Sequence, residues 1–93
     1  MKHPLEEIPG VGPVIAGNMA ALGIRQVSDL AGRDPEELFR LDCLRKGYQE
    51  DRCALYLWRA AVYYAEHPVR DAEKVNWRYW KDRPYLPEEG EIL

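Results

Sequence analysis

Residues 5–22, LEEIPGVGPVIAGNMAAL, decide the fold. They set a tight turn, Ile8-Pro9-Gly10-Val11-Gly12, between two apolar-patterned segments. Pro9 fixes its own φ and disfavours helix at Ile8, so a first short helix stops there. Gly10 lacks a Cβ and can take the positive φ that a sharp reversal needs. Pro13 then stands at a first helical position, where the missing N–H costs nothing. Ile15, Ala16, Met19, Ala20 and Leu22 follow at roughly helical spacing. The pattern predicts helix, hairpin, helix, with backbone amides exposed where the second helix begins. Such amides, at the positive end of the helix dipole, suit a phosphate.

Leu5, Ile8, Pro9, Gly10, Val11, Gly12, Ile15 and Ala16 match in order the helix-hairpin-helix pattern, apolar-x-x-apolar-Pro-Gly-apolar-Gly-x-x-apolar-Ala. The stretch resembles that motif far more specifically than a lone Gly-x-Gly does. The resemblance implies sequence-independent contact with a DNA backbone through the hairpin amides, here those of Gly10, Val11, Gly12 and Val14. In some members the hairpin carbonyls also hold a monovalent cation, and no other cofactor is expected. One departure is plain. The early second helix often carries Lys or Arg, and this chain has Pro13-Val14-Ile15. The bland alternative is a tight turn inside a small helical domain.

Moving outward, a shift of 22 residues aligns the chain with itself. Ile8 falls on Leu30, Gly10 on Gly32, Pro13 on Pro35 and Met19 on Leu41. This predicts a second, degenerate hairpin unit opening a helix at Pro35. Two such units are expected to pack as a pseudo-symmetric pair, since neither buries its apolar face alone. Their chemistry differs. Asp34 stands where the first unit has Gly12, and a carboxylate there caps the helix internally and repels phosphate. Glu37 is placed to complete a capping box. Residues 27–31 read as a single helical turn between the units. Gly23 reads as the C-cap of the helix before it.

Residues 51–67, DRCALYLWRAAVYYAEH, form the longest helix candidate, closed by Pro68. Between Cys53 and Ala65 only Arg59 is charged, which predicts a central core helix. Cys53, Leu57, Ala60, Ala61 and Tyr64 are expected to face inward. Its aromatics exceed what one face can hide. Either Trp58 and Tyr63 cover the C-terminal segment, the favoured reading, or they form a partner or dimer surface. The fold class is therefore all-α, a compact bundle of about five helices in one domain over residues 1–83. Residues 84–93 read as an extended tail.

Residues 70–83 interleave Arg70, Lys74, Arg78, Lys81 and Arg83 with Trp77, Tyr79 and Trp80. Basic plus aromatic composition suits a surface that follows a nucleic-acid backbone and stacks bases. With Arg25, residues Arg70, Lys74, Trp77, Arg78, Trp80 and Lys81 are candidate auxiliaries to the hairpin. The alternative, that the tryptophans pack on the core and the charges face water, is favoured, since Trp is usually well buried.

The whole of residues 5–82 resembles one family, the small bacterial helix-hairpin-helix proteins called pathogenicity-locus proteins, sometimes labelled mitomycin-resistance proteins. The carrying segments include residues 22–30, LGIRQVSDL, residues 34–38, DPEEL, residues 51–56, DRCALY, and residues 76–82, NWRYWKD. The resemblance bears on fold more than on function.

The 93 residues allow one modest core, and 31% charged content is ordinary for a globular protein. The net charge of −3 argues against strong binding of nucleic acid by bulk charge, though not against a local patch. No apolar run spans a bilayer and no signal-peptide core is visible, so a cytoplasmic protein without a membrane partner is expected. Cys43 and Cys53 then read as thiols, and two Cys with two His lack paired metal spacing. No nucleophile–base pair, convergent carboxylates or Lys-bearing phosphate loop is present, so no catalytic residue is assigned. Two function classes remain. One is a noncatalytic module that binds DNA weakly through its backbone. The other is a protein–protein adaptor, or a homodimer, using exposed aromatic surface at Trp58, Trp77 and Trp80.

Overall fold

Each long helix begins where the sequence supplies a start signal. Helix α1, Pro13–Ala21, opens on Pro13 behind an extended Gly12. Helix α2, Pro35–Lys46, opens behind Asp34, whose carboxylate accepts the Glu36 amide at 3.0 Å. Helix α3, Arg52–Glu66, opens behind Asp51, which accepts the Cys53 amide at 2.9 Å. These caps satisfy donors that a helix cannot satisfy by itself. The computed structural model describes residues 3–85, and among these no strand occurs. Residues 86–93, most of the expected tail, lie outside the described residues.

Three α-helices stand where about five were expected. Two of the anticipated helices are single 3-10 turns, Pro4–Glu7 and Val27–Leu30, and a third turn is Trp77–Trp80. The reason is local. Pro4–Glu7 lies between an extended His3 and an extended Ile8, the residue that Pro9 restricts. Val27–Leu30 lies between extended Gln26 and Ala31. Four residues between such ends close i→i+3 bonds but cannot propagate an α-helix. In the second turn, Asp29 accepts the amides of Arg25 and Gln26 at 3.0 and 3.2 Å. The Arg25 bond, first among several causes, holds the Asp29 carboxyl below the usual carboxylate range.

The two hairpins share their backbone hydrogen bonds at the 22-residue spacing. Val11 N–H donates to Ile8 C=O at 3.0 Å, and Arg33 N–H to Leu30 C=O at 3.1 Å. Ala16 N–H reaches Gly12 C=O at 2.9 Å, and Leu38 N–H reaches Asp34 C=O at 3.0 Å. Gly10 and Gly32 take φ of 86° and 81°, the left-handed conformation that glycine permits. The expected capping box is not formed, because Glu37 faces Arg33 at 3.9 Å instead.

The core gathers around α3. Leu5, Ile8, Met19, Ile24, Leu30, Leu38 and Val62 are its largest fully buried side chains. Each such burial contributes about 1.5–3 kcal/mol, and the set draws on both hairpins, the link between them and α3. A radius of gyration of 12.6 Å matches the roughly 12 Å of a compact chain this long.

Helix α3 departs from the predicted face in three places. Cys53 is exposed on its first turn rather than inward, while Cys43 on α2 is buried, and both are free thiols. Leu57 and Tyr64 are only half-buried. Trp58 is buried and lines a pocket of about 130 Å³ with Ile15, Met19, Asp42 and Leu57. Tyr63 does meet that segment, its ring 5.8 Å from the ring of Trp80.

Arg59 is buried and joins three elements. Its Nε and Nη2 donate to the two Glu36 oxygens at 3.0 and 2.7 Å, and its Nη1 donates to the Trp80 carbonyl at 2.8 Å. A planar guanidinium satisfies a carboxylate and a carbonyl together, which Lys cannot do.

Candidate functional site

The first hairpin ends in backbone donors with nothing to donate to. Among the described residues, the amides of Gly10, Gly12, Val14 and Ile15 make no hydrogen bond. Gly12 supplies no capping side chain. Gly10 and Val14 are exposed, Val14 to 77%. Val11 differs from its neighbours, since its amide bonds Ile8 within the turn and its side chain is buried. The free set is therefore Gly10, Gly12 and Val14, joined by Ile15, at the positive end of the α1 dipole.

The second hairpin holds two of the same donors filled. Gly32, the counterpart of Gly10, donates its amide to the Glu66 carboxylate at 2.5 Å. Glu36, the counterpart of Val14, donates to Asp34. One hairpin is open to an anion and the other carries two carboxylates of its own chain.

The C-terminal segment reaches the open hairpin at Gly10. A Cβ added at Gly10 would stand 3.3 Å from Leu57 Cδ1 and 4.0 Å from Trp77 Cδ1. Trp77 thus borders the turn half-buried, with the Arg78 guanidinium 5.1 Å from its ring centroid. Sequence reasoning named both residues but could not place Trp77 against Gly10, because the two lie far apart in the chain.

The other candidate auxiliaries are engaged elsewhere. Arg70 donates to the Tyr64 carbonyl and stacks 3.5 Å over the Tyr64 ring. Lys74 lies about 6 Å from the rings of Tyr63 and Tyr79. Trp80 is buried, its indole N–H bonded to the Lys74 carbonyl at 2.8 Å. Arg25 follows the far end of α1, a helix of nine residues and so about 13 Å long. Lys81 is exposed and its charge acts on Cys53. Hydrogen bonding from the thiol to Asp51, the first cause, raises the Cys53 thiol above its ordinary range. The basic and aromatic interleaving is thus used largely for cation–π contacts within the chain, with Arg70, Arg78 and Arg83 at the surface. Trp58 and Trp80, being buried, leave the adaptor surface that the sequence suggested.

Among the described residues no group of three His, Cys, Asp or Glu side chains is placed to hold a metal ion. Residues 8–12 carry no side-chain oxygen, so a monovalent cation at the hairpin would have carbonyls alone to hold it. No described helix is long and apolar enough to cross a membrane.

The family model for Cdd1, the pathogenicity locus, matches residues 2–84. The chain belongs to this family. A DNA polymerase IV of Saccharolobus solfataricus is 27% identical over 89 residues, covering 96% of this chain and 23% of the polymerase. A DNA polymerase IV of Xanthomonas campestris is 60% identical over 35 residues, 38% of this chain and 10% of that protein. The chain therefore spans less than a quarter of the length of these curated relatives. No solved structure gives a significant match.

Proposed function

We propose that this chain is a noncatalytic module that binds the DNA phosphate backbone without sequence preference, through the amides of Gly10, Gly12 and Val14. The observation that carries the reading is the contrast between these free donors and their filled counterparts at Gly32 and Glu36. Free N–H groups at a helix start suit an anion whatever base it belongs to. Similarity to stretches of two polymerases named for DNA supports the same ligand. In this reading the hairpins are two helix-hairpin-helix units packed as a pseudo-symmetric pair. The first binds and the second is structural. Trp77 borders the first hairpin, and the Arg78 guanidinium lies over the Trp77 ring.

Binding is weak and only mildly salt-dependent. Each neutralised phosphate contributes about −0.9 to the log–log salt slope, and neutral amides release fewer counterions than lysines. A slope of about −1 to −3 and a dissociation constant on the order of 10⁻⁴ to 10⁻⁶ M follow. Gly12→Asp tests the site. Its backbone is extended, φ −100° and ψ −172°, and an added Cβ meets nothing within 4 Å. The carboxylate would cap the amides as Asp34 does and repel phosphate. Fluorescence anisotropy on duplex, single-stranded and branched DNA is expected to show binding lost while circular dichroism is unchanged. A folded Gly12→Asp that binds like the parent removes the hairpin from the account.

A second reading has its own observation. Leu44 and Tyr48 are exposed to 66% and 61% and border a groove with Phe39 and Cys43 at the end of α2. An adaptor would use this face, and Tyr48→Ala would then weaken protein association and leave DNA binding intact.

A further inference from the structure

The pocket of about 130 Å³ beside Trp58 is apolar on most sides and polar at one end. Ile15 and Met19 on α1 and Leu57 and Trp58 on α3 form the apolar wall. Asp42 on α2 and Glu50, just before α3, form the polar end. Most polar groups there are paired within the chain. Asp42, its side chain 4% exposed, takes Arg45 on Oδ1 at 3.1 Å and Lys46 on Oδ2 at 3.6 Å. Arg45 also donates to Asn18 Oδ1 at 3.1 Å, which ties α2 to α1. Lys46 closes on Glu50 Oε1 at 2.5 Å, and the Glu50 amide donates to Cys43 Sγ at 3.4 Å. These bonds hold the Glu50 carboxylate at the pocket. Two groups are left over. Glu50 Oε2 is buried and accepts from no donor. The Trp58 indole N–H, on a residue 4% exposed, has no acceptor among the described residues.

We propose that this pocket binds a small neutral ring compound bearing one hydroxyl, held through Glu50 and Trp58. The inference does not depend on what the first hairpin binds. Size sets the body of the ligand. A cavity of about 150 Å³ takes one benzene molecule, so about 130 Å³ suits a single six-membered ring. The apolar wall sets its character, since a pocket of this kind binds an apolar body and orients it by a few polar groups. The two unpartnered groups set the head. A buried carboxylate oxygen without a donor costs free energy, and a ligand that brings the donor recovers it. Burial, the first cause, and the Asp42 carboxyl beside it push the Glu50 carboxyl above its usual range. A hydroxyl both donates and accepts, so it answers a carboxylate oxygen and an indole N–H alike. A charged head fits less well, because Arg45 and Lys46 already balance the charges of Asp42 and Glu50.

Titration with phenol, followed by the indole N–H resonances, tests the site. The Trp58 signal, assigned by its loss in Trp58→Phe, is expected to move saturably, with a dissociation constant on the order of 1 mM for so small a ligand. The Trp80 signal is expected to stay still, since its N–H is already bonded to the Lys74 carbonyl. Anisole has the same ring and cannot donate. It is expected to bind the parent about tenfold more weakly, the worth of one hydrogen bond to a charged group. Glu50→Met removes the acceptor and keeps an apolar side chain. In that variant phenol is expected to fall to the affinity of anisole, with circular dichroism unchanged. A Trp58 indole N–H that ignores phenol, or equal binding of phenol and anisole by the parent, overturns the proposal. Both of those outcomes are read on the parent, so an unfolded variant does not shield it. A folded Glu50→Met that keeps the preference for phenol overturns the role of Glu50 and the proposal with it. Failure of the hairpin reading shows separately, in DNA binding that Gly12→Asp leaves intact.

Discussion

The two hairpins are alike in backbone and opposite in chemistry. Both reverse through a left-handed glycine, Gly10 or Gly32, and both open a helix on a proline. The first leaves its amides free and rests on apolar contact, with Leu57 and Trp77 closing on Gly10. The second is tied down by carboxylates, Asp34 on its own helix start and Glu66 from α3. The difference teaches that one turn geometry can leave its helix-start donors free or tie them to carboxylates of the same chain.

The largest expected effect on stability is at Arg59, which clamps the first turn of the second hairpin's helix to the C-terminal segment. Arg59→Ala leaves the Trp80 carbonyl without this donor and Glu36 without its cation. Breaking a fully buried pair costs about 3–5 kcal/mol, but the Glu36 side chain is 49% exposed and rehydrates. A loss of about 2–3 kcal/mol is expected, read as a midpoint lowered by about 10–20 °C. A change under about 0.5 kcal/mol, the range of an ordinary surface substitution, would show that the clamp is ornamental.

The glycines give the next effect and separate the hairpins directly. Gly32→Ala meets open space and is opposed only by its positive φ, about 1–2 kcal/mol. Gly10→Ala carries the same strain and also presses on Leu57 Cδ1 at 3.3 Å. Urea titration should therefore rank Gly10→Ala below Gly32→Ala in stability. The reverse order would mean that the first turn is the looser of the two.

The caps give the smallest effect and carry opposite signs. Asp34→Ala removes a working N-cap and is expected to cost about 1 kcal/mol. Gly12→Asp adds one and is expected to gain a few tenths of a kcal/mol, even as it removes phosphate binding. If Gly12→Asp destabilises the chain instead, its carboxylate does not reach the amides and the equivalence with Asp34 fails.

Much of this was legible in the sequence, because local signals set it. Pro13, Pro35 and Asp51 mark the helix starts, and the glycine spacing marks both turns. What was hidden depends on long-range contact. The Glu66–Gly32 bond joins residues 34 apart, and no local pattern announces it. The exposure of Cys53 was not legible because α3 is apolar nearly all round, so hydropathy could not tell which neighbour each face meets. The basic and aromatic run read either as a nucleic-acid surface or, the favoured alternative, as tryptophans packed on the core with the charges facing water. Arg70 over Tyr64 and Trp80 in the core favour the second for most of it. The count of helices failed for a physical reason. Extended residues at both ends of a four-residue segment leave room for a 3-10 turn alone.

The most direct test of the contrast between hairpins is a map of backbone amide shifts when the parent chain is titrated at low salt with a short DNA duplex. The account predicts that the Gly10, Gly12 and Val14 resonances move together while those of Gly32 and Glu36 stay in place. Movement at Gly32 and Glu36 with a silent first hairpin would contradict it.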